Sequence, residues 1–122
     1  MTALSPAEAK SLIETLYAAF NRRDIDAALT AMHPEVEWPN GMEGGTVHGH
    51  PAVREYWIRQ WGMINPRVEP LSFEEDGTGR VIVKVHQVIR DLQGTVIVDR
   101  MVCHAYAFED ELVKRMEIQE PS

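Results

Sequence analysis

Three residues able to do chemistry recur at even spacing along the stretch Thr95 to Phe108: Arg100, His104 and Tyr106. On an extended strand such residues share one face. Gln87 lies in the preceding valine-rich stretch, Arg80 to Arg90, and Asn40 follows Trp38 in a glycine-rich loop. A neutral imidazole can act as a base near pH 7, and side-chain amides can hold a carbonyl or hydroxyl oxygen. Each has a plainer use: a buried histidine can be a hydrogen-bonded core residue, and Asn40 can be spent on its own loop. The elements around these side chains must decide between the two.

If Asp91 faces Gly94 across a two-residue turn, the hairpin sets Val81 opposite His104, Val83 opposite Val102, Val85 opposite Arg100 and Gln87 opposite Val98. The other face then makes His86 and Asp99 direct cross-strand neighbours, a pair that resembles a catalytic dyad but suits a structural or interfacial role on an outer face. His33, His48 and His50 fall in loops and are given no role. Both faces of the long strand are apolar, one with Val102, Tyr106 and Phe108, the other with Met101, Cys103, Ala105 and Ala107. Helices cover one face, and a homodimer contact through the outer face is expected to cover the other, burying Met101, Cys103 and Ala105.

Composition narrows the function classes. At 122 residues the chain is expected to form one domain over residues 1–122. A net charge of -7 without a basic run argues against nucleic acid, and no apolar run approaches the length of a membrane span. The first residues, MTALSPAEAK, lack a secretory pattern, so a cytoplasmic location is expected. The lone Cys103 and the absence of metal-ligand spacing imply neither disulfide nor metal, and no cofactor is expected.

Helices come first in the chain and strands last. Ser5, Pro6 and Glu8 form a capping box, and Ala9, Leu12, Ile13, Leu16 and Phe20 mark a helical stripe ending at Asn21. Asp24 caps a second helix with apolar residues Ile25, Ala28, Leu29 and Met32, and Pro34 enforces its exit. Val36 and Trp38 alternate as in a strand, and Gly41, Gly44, Gly45 and Gly49 then interrupt regular structure. A third helix starts near Pro51, with Val53, Trp57, Trp61 and Ile64 on one face. Trp38, Trp57 and Trp61 therefore converge, as core or as the wall of a pocket. Pro70 makes the stretch Val68 to Phe73 an edge or bulged strand. The hairpin and a last strand, Leu112 to Gln119, complete the sheet before a polar tail.

The segments FNRRDIDAALTAMHPEVEWPNG, VHGHPAVREYW and HAYAFEDELVKRMEI, in this order, resemble the cone-shaped fold of nuclear transport factor 2, the ketosteroid isomerases and the SnoaL-like polyketide cyclases. The resemblance implies an α+β cone: three N-terminal helices packed on a strongly curved mixed β-sheet. It also turns His104, Gln87, Asn40 and Trp38 toward the cone interior. Against the ketosteroid isomerases, Trp38 replaces the base, Leu16 the tyrosine and His104 the aspartate. Against limonene-epoxide-hydrolase-like members, Val85, Gln87 and Ile118 replace the charged set. Against scytalone dehydratases, the histidine remains but Asn21 stands where its orienting acid would be.

The expected site is therefore His104 as catalytic base, with Trp38, Asn40, Trp57, Trp61, Gln87, Arg100, Tyr106, Met116 and Ile118 contacting a small, largely apolar organic ligand. The implied activities are a cofactor-free isomerase, cyclase, dehydratase or hydrolase step. Binding without turnover and a protein-adaptor role of the nuclear transport type stand as alternatives.

Overall fold

The computed structural model describes residues 4–41 and 43–119, so the polar tail beyond Gln119 lies outside the described residues. Helix α1 spans Pro6–Asn21, with Ser5 Oγ accepting from the Glu8 amide and the Glu8 carboxylate accepting from the Ser5 amide. Arg23, in the left-handed region at φ 65°, reverses the chain into α2, Ile25–Thr30, whose first turn is capped by Asp24. Strand β1 (Met32–Pro39) follows at once. Met32, expected at the end of α2, belongs instead to β1. The Val113 amide donates to the Ala31 carbonyl, and this bond pulls the chain out of the helix and onto the sheet.

Gly44 and Gly45, both at positive φ, fold the glycine-rich loop back, so that a short strand β2 (Thr46–His48) pairs antiparallel with β1 where no regular structure was expected. Helix α3 spans Gly49–Trp61, leaving Ile64 beyond its end. Strands β3 (Asn65–Glu75), β4 (Val81–Arg90), β5 (Val96–Glu109) and β6 (Leu112–Gln119) complete a six-stranded sheet in the order β2-β1-β6-β5-β4-β3. The β1–β6 pair is parallel and the others are antiparallel, giving the mixed sheet expected. β3 is an edge with a bulge at Pro70 to Ser72, and further irregularities interrupt β4–β5 and β5–β6. Bulges of this kind bend strands and increase twist, which curves the sheet into an open cone.

The β4–β5 register differs by two residues from the two-residue-turn expectation. His104 faces Val83, Val102 faces Val85 and Arg100 faces Gln87. The cause is Asp91, whose Oδ1 accepts from both the Gln93 and Thr95 amides and builds a longer loop. Because the slip is even, every side chain keeps its expected face. His86 and Asp99 still meet, with Nε2 and Oδ1 2.7 Å apart, but diagonally rather than directly across.

The core fills the concave side. Ile13, Leu16 and Tyr17 of α1 and Val53 and Trp57 of α3 pack with Val36, Val83, Val85 and Val113 of the sheet. On the convex side Met101 and Cys103 are half-buried. Ala105, expected to need a partner subunit, is already 2% exposed within one chain.

Candidate functional site

The site begins with a chain of buried hydroxyls ending on an imidazole. β5 alternates Val102, His104 and Tyr106 onto the concave face, all buried. Above them α1 lowers Tyr17, one turn beyond Ile13. Tyr106 Oη donates to Tyr17 Oη over 2.8 Å, and Tyr17 Oη lies 2.7 Å from His104 Nδ1. Running the protons this way gives each buried phenol an acceptor. The opposite direction would leave the O–H of Tyr106, 0% exposed, without one. Nδ1 is then an acceptor, and the ring proton of His104 sits on Nε2.

Burial, reinforced by the positive charge of Arg100, pulls the His104 imidazolium down to about pKa 4. The ring is neutral at pH 7. Burial likewise holds both tyrosines above their ordinary range. The three groups therefore stay uncharged and hydrogen-bonded, and among the described residues His104 Nε2 has no partner of its own.

A cavity of about 300 Å³ opens beside this imidazole. Its lining runs from Tyr17 and His104 at the buried end to Val98, Ile97 and Ile118 at the mouth. Trp38 and Trp57 form one wall, edge to face with centroids 5.6 Å apart, and Phe20 stands edge-on to Trp57 at 5.2 Å. Gln87 and Arg100 form a polar strip on the sheet: Arg100 Nε donates to Gln87 Oε1 over 2.9 Å. Opposite, Tyr56 Oη accepts from the Gly41 amide and from Gln60 Nε2, while among the described residues the buried Oε1 of Gln60 has no partner. Among the described residues no carboxylate lines the cavity.

Residues 13–116 match the SnoaL-like domain. The chain belongs to the SnoaL-like family. Among solved structures, TerC co-crystallized with polyporic acid is 32% identical to this SnoaL-like protein, with a TM-score of 0.81 over 93% of this chain and 92% of that one. An NTF2-like protein of unknown function from Burkholderia pseudomallei is 28% identical, with a TM-score of 0.81 over 97% and 92%. A putative polyketide cyclase from Sinorhizobium meliloti, 19% identical with a TM-score of 0.77 over 95% and 100%, shows the same fold. No curated protein matches the sequence.

Of the residues expected in the site of this SnoaL-like protein, His104, Trp38, Trp57, Gln87, Arg100, Met116 and Ile118 line the cavity. Three do not. Asn40 turns into its own loop, where Nδ2 donates to the Glu43 carboxylate and Oδ1 accepts from the Glu43 amide. Trp61 stands behind Trp57, tilted against Phe20 and under the guanidinium of Arg23 at 5.0 Å. Tyr106 reaches the site only through Tyr17. Asn21 is a clamp on β3: its side chain accepts from the Val68 amide and donates to the Val68 carbonyl.

Sequence reasoning missed Tyr17, Tyr56 and Gln60. Tyr17 follows Ile13 by four residues and so shares its face, a signal available in the periodicity. Tyr56 and Gln60 stand in the same relation on α3. The histidines expected in loops lie in regular elements instead, His33 in β1, His48 in β2 and His50 in α3, and have structural partners: His50 Nε2 lies 2.9 Å from the Met32 carbonyl, and His33 Nε2 lies 3.2 Å from the Asp110 carboxylate and 3.4 Å from that of Glu109 in the β5–β6 turn.

Proposed function

We propose that this SnoaL-like protein binds a small, largely apolar organic molecule in the cone and polarises one of its oxygens through the Nε2–H of His104. The observation that carries this reading is the Tyr106–Tyr17–His104 chain, which fixes the tautomer and directs a donor toward an aromatic-walled cavity. His104 then serves as a fixed electrophile, not as the base expected from its residue type. Its depressed basicity suits this role, because the ring stays neutral at pH 7, with Nδ1 accepting from Tyr17 and its one proton held on Nε2. If turnover occurs, the step is one in which negative charge grows on a carbonyl or hydroxyl oxygen, as in isomerisation or cyclisation. The volume matches a ligand of one to three rings at the small end of ordinary binding pockets.

A second reading, binding without turnover, is favoured by one feature: the described lining offers no carboxylate to remove a proton. TerC was crystallised with polyporic acid, which makes that compound the first probe. Calorimetric titration should show binding at micromolar concentration, weakened at least about tenfold in His104→Phe, which keeps the ring shape but removes the donor. Unchanged affinity in that variant would remove His104 from the site. Product formation by the wild-type protein on conjugated ketone substrates would decide between the two readings.

A further inference from the structure

The polar groups offered to the cavity by the sheet are of one kind. His104 presents Nε2–H, with Nδ1 occupied by Tyr17. Gln87 Oε1 already accepts from Arg100 Nε, while its amide NH₂ keeps both donors to offer. Arg100 adds the terminal nitrogens of its guanidinium, donors that cannot be deprotonated. The bonds inside this strip thus draw on its few acceptors, while most of its donors remain to be offered.

The charge balance points the same way. The molecule is acidic, with 19 Asp and Glu residues against 12 Lys and Arg. Yet among the described residues Arg100 has no carboxylate partner, and its hydrogen-bonded neighbour is a neutral amide. Around the cavity, β5 contributes Arg100 and His104, α1 contributes Tyr17 and α3 contributes Tyr56; the lining from β1, β3, β4 and β6 is un-ionisable. Arg100 is therefore the one full charge on the described lining at neutral pH, and it is positive. A cationic or donor-only ligand would meet donors along this wall, whereas an ionised oxygen would meet complementary ones.

We infer that the cavity takes its ligand as an anion, specifically a conjugated enol or phenol whose acidic oxygen is ionised and lies along the His104–Gln87–Arg100 strip, with its flat apolar body against Trp38 and Trp57. This rests on the reading of the cone as a small-molecule site and adds the charge state of the occupant. The sheet geometry suits an extended oxygen-bearing edge. Gln87 faces Arg100 directly, and His104 follows four residues further along the same face, about 13 Å in Cα spacing, which the long Arg100 side chain shortens. A flat body suits this aromatic wall, where a planar π system can stack on one indole and meet the perpendicular one edge-on.

The test uses a matched pair of probes, 2-hydroxy-1,4-naphthoquinone, ionised at neutral pH, and 2-methoxy-1,4-naphthoquinone, of nearly equal shape but unable to ionise. Dissociation constants of both are measured at pH 7 for the full chain and for Arg100→Gln, with circular dichroism confirming the fold. The hydroxy compound should bind at least about tenfold more tightly than the methoxy compound, and Arg100→Gln should erase most of that ratio by weakening the hydroxy compound far more than the methoxy compound. The visible band of the hydroxyquinone gives a second readout. When bound, it should keep its anionic form to a lower pH than when free, and lose this advantage in Arg100→Gln. Equal affinity for the two probes overturns the anion assignment and leaves the cavity reading standing. Failure of both probes, and of polyporic acid titrated directly, to bind overturns the cavity reading and the anion assignment together.

Discussion

Tyr17 and His104, 87 residues apart in the chain, are joined by a 2.7 Å hydrogen bond that couples the first helix to the longest strand. This bond sets the tautomer of the imidazole, and Tyr106 behind it sets the direction of the bond. Removing Tyr17 should therefore cost more than removing Tyr106. Tyr17→Phe leaves the buried Tyr106 hydroxyl and His104 Nδ1 both unpaired and should lower stability by about 2–3 kcal/mol. Tyr106→Phe, which leaves Tyr17 still bonded to His104, should cost about 1 kcal/mol. The double variant should be less damaging than the sum by about 1 kcal/mol. Denaturant unfolding of the four proteins checks the cycle, and strict additivity would show that the three groups do not act as a chain. Nitrogen chemical shifts of His104 should report Nε2–H in the wild type.

Acid should destabilise the fold through the same histidine. Its folded-state pKa of about 4 lies below the ordinary 6.5, so between these values the unfolded chain binds a proton that the native protein refuses. The stabilisation is complete above pH 6.5, declines as pH falls, and is lost below about pH 4. The shift corresponds to about 3 kcal/mol. His104→Gln, whose amide can still accept from Tyr17, should flatten the stability curve in this window. A wild-type curve flat from pH 7 to 4 would contradict the burial argument.

The sequence carried the layers of this fold more fully than its pairings. Capping at Ser5 and Asp24, the break at Pro70 and the even alternation along β5 are local signals, and each became the expected feature. The β4–β5 register was set by a side chain, Asp91, bonding two amides, and turn length alone does not reveal such a bond. Alternation survives an even slip, which is why Gln87, Arg100 and His104 still share the cavity face. Asn40 and Trp61 were misplaced because proximity in sequence to Trp38 and Trp57 says nothing of where a loop amide or a helix end turns. Tyr17 was hidden by chemistry: the apolar stripe of α1 was read from aliphatic residues and phenylalanine, and its phenol was passed over.

Asn21 offers a test of what holds α1 to the sheet edge. Its side-chain amide pairs with both backbone groups of Val68, at 3.0 and 2.7 Å, as another strand would. β3 is otherwise an edge with one free side. Asn21→Ala should cost about 2 kcal/mol, and the Val68 amide should lose much of its hydrogen-exchange protection while β5 amides keep theirs. Because Asn21 lies outside the cavity lining, ligand affinity should hold under conditions where the variant remains folded. Retained protection at Val68 would show that the strand needs no clamp.

The β5–β6 turn contains a local conflict that can be relieved. Asp110 and Glu111 both occupy the left-handed region, at φ 54° and 64°, between the paired residues Glu109 and Leu112. A two-residue hairpin of this geometry favours aspartate followed by glycine, because the second position penalises a Cβ. Aspartate tolerates the left-handed region, whereas glutamate has no short side chain to offset the cost. Glu111 is exposed and, among the described residues, its carboxylate makes neither a hydrogen bond nor an ion pair that would be lost. Relief of a strain of about 1–2 kcal/mol is opposed by the greater freedom of glycine in the unfolded chain, about 0.5–1 kcal/mol. Glu111→Gly should therefore stabilise by about 0.5–1 kcal/mol, seen as a higher denaturant midpoint at unchanged slope. Glu111→Ala separates the two contributions: it removes the same carboxylate but keeps the Cβ, so it should leave the midpoint near that of the wild type. If alanine stabilised as much as glycine, the gain would come from the lost charge beside Glu109 and Asp110, and the turn would not be strained.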